Sequence, residues 1–451
     1  MNLTPLGIVA LVAAALLGVV GTWSDALGSF PWWRLAVASL VVGLALEFVT
    51  VRGLRVDARW REAARLFLGR AETLELELRG ETRRKLSLRA LPVLPHGLVL
   101  ADASAHDRTS LDDGIGGPHV HEPIELRLPP EGSARAPIVV RPLRLGVHAW
   151  PTLPVRVLGP LGLAWWSRRL DPRTTSRVLP DTLGRRSVET GTAEAGGAPR
   201  PRVGSGREFD QLREYRPGDP RNAIDWKASA RVSKLMTRVY SEDQHLEIML
   251  LLDAGRTSRT EIDGMSQLGH YVNLAARFAE YCASGDDRVG LVVFADRPIR
   301  VLPPSAGLPG VVRMRGMLAD LEALAVDSDP IEAALCTARI VRHRCLAIVL
   351  TDLYEPSSIA RLAAAAALLA EKHLPIVVGL LGSDIAALKG VEARTWLDPY
   401  RAIAADEIDR QLRAHAARLA GLGALTLTAR PAEVDRNVLE LYRRLRARHR
   451  I

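Results

Sequence analysis

The chain has 451 residues, more than one compact core holds and enough for two or three domains. A hydrophobic fraction of 48% with 25% charged residues excludes a disordered or fibrous polypeptide. The net charge of +9 is spread among intermingled acidic and basic residues with few aromatics, so nucleic acid is not an expected partner. The three cysteines (Cys282, Cys336, Cys345) form no CxxC pair and fit a reducing compartment.

Two apolar runs open the chain, Leu6 to Val20 and Pro31 to Val51. Each is about long enough to cross ~30 Å of hydrocarbon as a helix. Trp23 closes the first and Trp32 and Trp33 open the second, which suits indoles at the headgroup level. A cleaved signal peptide would need a basic leader, and Met1 to Thr4 has none. Arg52, Arg55, Arg59, Arg61, Arg65 and Arg70 follow the second run, whereas the short turn between the runs carries only Asp25. The positive-inside rule then predicts a two-pass hairpin over residues 1–53. Both termini and the soluble parts would be cytoplasmic, and the lipid bilayer is the first expected partner.

Residues 54–181 read as a small β-sandwich. Thr73 to Leu78, Lys85 to Arg89 and Ile124 to Leu128 alternate apolar and polar side chains, with frequent Pro and Gly breaks. His119 and His121 share one strand face, but without a third ligand they read as a solvated strand rather than a metal pair. A Gly-, Ala- and Thr-rich linker from Thr182 to Pro201 follows.

The linker and the most distinctive stretch together occupy 182–243. That stretch contains Gly204, Gly206, Glu208, Phe209, Leu212, Arg213, Tyr215, Gly218, Asp219, Arg221, Asp225, Trp226, Ser229, Arg231 and, downstream, Glu242. Pro217-Gly218 predicts a turn, with Asp219 as N-cap and Pro220 as the first residue of a helix reaching Arg231. Gly204-x-Gly206 lacks the Lys-Ser/Thr ending of a phosphate loop. The Gly-x-Gly-x-Glu-Phe, Leu-Arg-x-Tyr, Pro-Gly-Asp, Ile-Asp-Trp and Ser-Ala-Arg segments resemble the signature of domain-of-unknown-function family 58. Gly159-Pro160-Leu161-Gly162-Leu163 is close to that family's Asp-Pro-Phe-Gly-Leu. The resemblance implies a bacterial, membrane-anchored protein of the inner membrane with a von Willebrand factor A-like domain. It also implies a MoxR-type AAA+ ATPase as partner; no activity or client comes with it.

From 244 to 451, near-continuous apolar runs alternate with helical ones. Strands are predicted at His245–Leu252, Arg288–Phe294, Cys345–Leu350, Pro375–Leu380 and Ala424–Leu427, with a hairpin partner at Arg297–Leu302. Such alternation predicts a doubly wound, mainly parallel α/β sheet of Rossmann type, covered on both faces.

Ligands of these sheets sit beyond the carboxyl ends of the strands. Asp253 and Thr257 follow the first strand and Asp352 follows the Cys345 strand. The von Willebrand pattern places Mg²⁺ among Asp-x-Ser-x-Ser, a Thr and an Asp. Here Gly255 stands where a hydroxyl belongs, so this metal set is degenerate; Ser305 is a candidate for the missing ligand, and no cofactor is certain. The alternative role for the two aspartates is to satisfy turn amides.

No nucleophile elbow, HExxH motif or Walker loop occurs, and the cysteines fall on apolar stretches. The expected function is a non-catalytic adaptor. The carboxylates Glu208, Asp219 and Asp225 would form an ion-paired clamp joining the signature helix to the sheet domain. The rival is a hydrolase of cell-envelope material that uses these same carboxylates.

Overall fold

The computed structural model describes residues 2–23, 32–82, 84–101, 122–182, 203–204, 208–217, 219, 221–241, 246–285, 287–388 and 395–447. The chain forms two compact units, Met1–Leu179 and Pro180–Ile451. His119 and His121, Gly206, Gly218 and Glu242 lie outside the described residues, as do the turn between the apolar runs and most of the linker.

In the first unit, the apolar runs form the helices Pro5–Trp23 and Trp32–Gly53, which pack against each other. Within the second, the 20 residues Arg34–Gly53 are long and apolar enough to cross a membrane; Pro5–Val20 is a shorter apolar helix. Large aliphatic side chains on both helices stay exposed, including Val9 at 67% and Val49 at 68%.

Behind the helices stand a five-stranded and a four-stranded antiparallel sheet and a small three-stranded one. Alternation sets their buried faces. In Arg55–Arg61 the buried residues are Val56, Ala58 and Trp60, and in Glu72–Glu81 Leu74, Leu76 and Leu78 are buried. Glu77 is also buried, held by Arg61, Arg79 and Arg135. These guanidiniums hold its carboxyl below the usual carboxylate range against the opposing effect of burial.

The Gly159–Leu163 stretch is where helices and sheet meet. Glu47, fully buried, accepts hydrogen bonds from the Leu161 and Leu163 amides at 3.0 Å, the Ala164 amide at 3.1 Å and the Trp166 indole at 3.2 Å. A Cβ on Gly159 would lie 2.1 Å from the Glu47 carboxyl carbon, and Gly162 takes the left-handed backbone (φ +74°), so both glycines are required by the turn. At the other helix, Asn2–Leu3 pairs with Trp165 and Ala164, and Thr4 donates to the Leu163 carbonyl. The start of the first helix and the end of the second therefore dock on the same strand, Ala164–Leu170.

The second unit is built on a six-stranded sheet in the order Pro298–Ser305, Arg288–Phe294, Glu247–Asp253, Leu346–Leu350, Leu374–Leu380, Leu425–Ala429. All its pairings are parallel except that of the edge strand Pro298–Ser305. On one face, Met249, Leu251, Val349 and Val377 pack with Ala334, Leu362 and Leu412 of the helices Pro330–Ile340, Pro356–Ala370 and Asp398–Gly421. Alternation sends Ile248, Leu250 and Leu252 to the opposite side, where Gln267–Ala283, Gly307–Leu318 and Pro431–Ala447 gather and Phe278 meets Tyr442 edge-on at 5.5 Å. With helices on both faces the four inner strands need no polar side, which is why they are almost wholly apolar, whereas the edge strands Pro298–Ser305 and Leu425–Ala429 carry Arg300, Thr426 and Thr428.

The signature folds differently from its predicted helix-turn form. Glu208–Glu214 and Met236–Ser241 make an antiparallel hairpin, joined at its edge by Val203–Gly204. Between its strands lie a 3-10 turn, Arg221–Ala223, and the helix Trp226–Val232. The helix starts later than predicted because Ile224 is extended and bridged to Thr237.

Candidate functional site

The carboxyl ends of Glu247–Asp253 and Leu346–Leu350 are neighbours because the strands pair in register, Leu252 opposite Leu350. The next residues, Asp253 and Thr351, are therefore adjacent. The Thr351 hydroxyl donates to Asp253 Oδ2 at 2.6 Å. Oδ1 accepts the Gly255 amide at 2.8 Å and the Ser328 hydroxyl. Burial nonetheless pushes the Asp253 carboxyl above its ordinary range, the three hydrogen bonds opposing it. Asp352 is shifted the same way by burial, despite its bond from the Tyr354 amide at 2.9 Å, and the nearby Asp253 adds to the effect.

Gly255 has a positive structural reason. A Cβ there would lie 2.1 Å from Ser328 Oγ and 2.9 Å from the Val326 carbonyl. The hydroxyl missing from the first loop is thus delivered by Ser328 from another loop. Ser305, the candidate for that role, sits opposite Val289 at the far end of its strand pair and is no ligand here. The sequence does hold a trace of Ser328: the Asp329 cap and Pro330 place it immediately before a helix.

A pocket of about 20 Å³, room for one water, is lined by Asp253, Thr257, Ser328 and Thr351. Its rim carries Arg256, Asp327, Glu355 and Arg361; Arg256 Nε pairs with Asp327 at 3.0 Å, both side chains more than half exposed. Asp352 does not line it. Mg²⁺ requires six oxygens in near-octahedral array. Residue 255 offers no oxygen side chain, both Asp253 oxygens already accept protein donors, and no cluster of three His, Cys, Asp or Glu occurs among the described residues. This donor set does not fit the ion. Asp253 is likewise not free to receive a partner's hydroxyl or acidic group, because its oxygens are occupied and it is 2% exposed. The accessible chemistry belongs to the rim.

The signature carboxylates lie in the hairpin arm. Asp219 accepts the Arg216 amide at 2.9 Å and Arg213 Nη2 at 2.6 Å. The amide bond first and the guanidinium second hold its carboxyl below the ordinary range. Asp225, and not Asp219, is the helix N-cap, taking the Lys227 and Ala228 amides at 3.0 Å and Arg238 Nε at 2.8 Å. The Ala228 amide and then Arg238 depress it as well. Ser229 is buried, its Oγ accepting the Met236 amide at 2.8 Å and binding the helix to the strand. Arg221, Trp226 and Arg231 are exposed, while Leu212, Arg213 and Tyr215 belong to the hairpin strand and its exit. Gly204 pairs with Tyr240, and the Glu208 and Phe209 side chains lie outside the described set. The sequence predicts that these carboxylates clamp the arm to the sheet domain; the ion pairs of Asp219 and Asp225 instead close the arm on itself.

The cysteines are unsuited to nucleophilic attack. Burial pushes the Cys345 thiol up to about 12, although His373 Nδ1 lies 3.2 Å from its sulfur, and raises Cys282 well above its usual value.

Residues 211–417 match the family model described as "Protein of unknown function DUF58". No curated protein matches the chain. Among solved structures, an uncharacterised membrane-spanning protein from Vibrio fischeri is similar at 16% identity, over 45% of this chain and 98% of that one, with a TM-score of 0.19. A CARDB domain from Pyrococcus furiosus in complex with di-metal ions shares 7% identity over 28% of this chain and 93% of that one, with a TM-score of 0.17. Salmonella alpha-2-macroglobulin reacted with methylamine shares 17% identity over 28% of this chain, which spans only 7% of that protein's length; the TM-score is 0.18. Likenesses this slight do not bear on function.

Proposed function

We propose that this chain is a non-catalytic adaptor anchored in the bacterial inner membrane. It crosses the bilayer twice, keeps both termini and its soluble parts in the cytoplasm, and offers a von Willebrand A-like domain to a MoxR-type AAA+ ATPase during assembly or maturation of client proteins. The exposed aliphatic surfaces of both N-terminal helices support the anchor. The docking of Asn2–Leu3 and Glu47 on one strand supports a hairpin whose two ends share a side.

One observation carries the choice of binding over catalysis. A hydrolase working through Asp219 or Asp225 needs a carboxyl with a raised pKa as general acid. Both carboxyls are instead lowered, Asp219 engaged by one backbone amide and Arg213, Asp225 by two backbone amides and Arg238. The surface we assign to the partner is the Arg256, Asp327, Glu355 and Arg361 rim at the strand ends. Capture of the full chain from membranes in mild detergent, with and without added nucleotide, tests this function. An AAA+ ATPase is expected in the captured fraction, and its absence under both conditions would contradict the reading.

A further inference from the structure

We propose that the tip of the hairpin arm, Arg221 to Leu235, seats on the anionic headgroups of the bilayer; this deepens the membrane-anchored reading and rests on it. The tip has no core of its own. Among its described side chains between 212 and 238, only Ser229 and Thr237 are buried. Trp226 is 68% exposed at the first turn of the helix and Val232 is 57% exposed at its end. An indole this bare is costly in water, yet at the headgroup level its apolar body and its N–H both find partners.

The charges around it are unbalanced. Each described carboxylate of the arm already holds a cation of the arm: Glu214 holds Lys234, Asp219 holds Arg213 and Asp225 holds Arg238. Arg216, Arg221, Lys227 and Arg231 have no ion-pair partner among the described residues. The tip therefore joins exposed apolar side chains to an excess of positive charge, the combination that anionic lipid attracts. A protein partner with an acidic face would answer the charge. The exposed Trp226 and Val232 suit an interface that needs no groove, which a bilayer surface supplies. On the anchored reading, tethering through the same chain raises the effective concentration of the arm at a bilayer.

The experiment uses the full chain in nanodiscs of phosphatidylcholine alone and of phosphatidylcholine with about 30% phosphatidylglycerol. Hydrogen exchange is followed over residues 221–235, with the helix Gln267–Ala283 as a reference for folding. Exchange at the tip is expected to be about tenfold slower in the anionic discs, with the difference removed in about 0.5 M salt. The charge-reversed variant Arg221→Glu/Lys227→Glu/Arg231→Glu should show no lipid dependence while its reference helix stays protected. Equal exchange of the wild-type tip in the two lipids would overturn the proposal, as would protection that arises only on adding an acidic protein. A chain that elutes apart from both discs would overturn the anchor itself, an outcome distinct from loss of tip protection alone.

Discussion

Ser328 places its hydroxyl on Asp253 Oδ1 in the space that a side chain at residue 255 would need. Gly255→Ala should therefore force the two loops apart, at a cost of about 1–3 kcal/mol of stability. Ser328→Gly in the same chain should recover part of the loss. Thermal unfolding of both variants checks this, and a Gly255→Ala chain as stable as the wild type would contradict it.

Asp253 gives a signed pH dependence. Its folded-state pKa lies above the unfolded value, so its contribution to stability is fully present below the ordinary carboxylate range and is lost as pH rises through the folded value. Asp253→Asn removes that loss. The variant's stability relative to the wild type should rise from acid toward neutral pH, measured by denaturant unfolding across the range.

In the arm the sign is opposite. Asp225 is depressed by the amides it caps and by Arg238, so it stabilises above the ordinary carboxylate range and this is lost in acid. Asp225→Ala should destabilise the short helix and speed hydrogen exchange of Trp226–Val232. Carboxyl NMR should find Asp219 and Asp225 titrating below about 3.9. A raised midpoint for either would revive the hydrolase.

Glu47 joins helix to sheet through four donors, three of them backbone amides. Glu47→Ala leaves these buried donors unmet and should cost at least about 2 kcal/mol. Gly159→Ala should be similarly harmful through its clash with the carboxylate. Limited proteolysis in detergent should then release the β-rich segment from the helices sooner than in the wild type.

Much of this architecture was legible because periodicity reports burial. The inner strands of the large sheet are buried on both faces, so their apolar runs stand out, and the predicted strand Arg288–Phe294 matches to the residue. The hairpin arm was less legible. Glu208–Glu214 has no clean alternation, and Asp219 reads as the helix cap until the bridge between Ile224 and Thr237 delays the helix and makes Asp225 the cap. The strand-end site was half legible. Asp253, Thr257 and Asp352 follow from strand ends, but Ser328 comes from a loop that only the folded chain brings near.

On the proposed function, a membrane-held scaffold binds a partner through the strand-end rim and leaves it chemically unchanged. Its most direct test compares capture of the AAA+ ATPase by the wild type and by Arg256→Ala/Arg361→Ala, two rim changes that spare the buried Asp253 cluster. Capture should fall at least about tenfold with the unfolding temperature unchanged, as expected when charged contacts at an interface are removed. Undiminished capture by the folded double variant would contradict the claim.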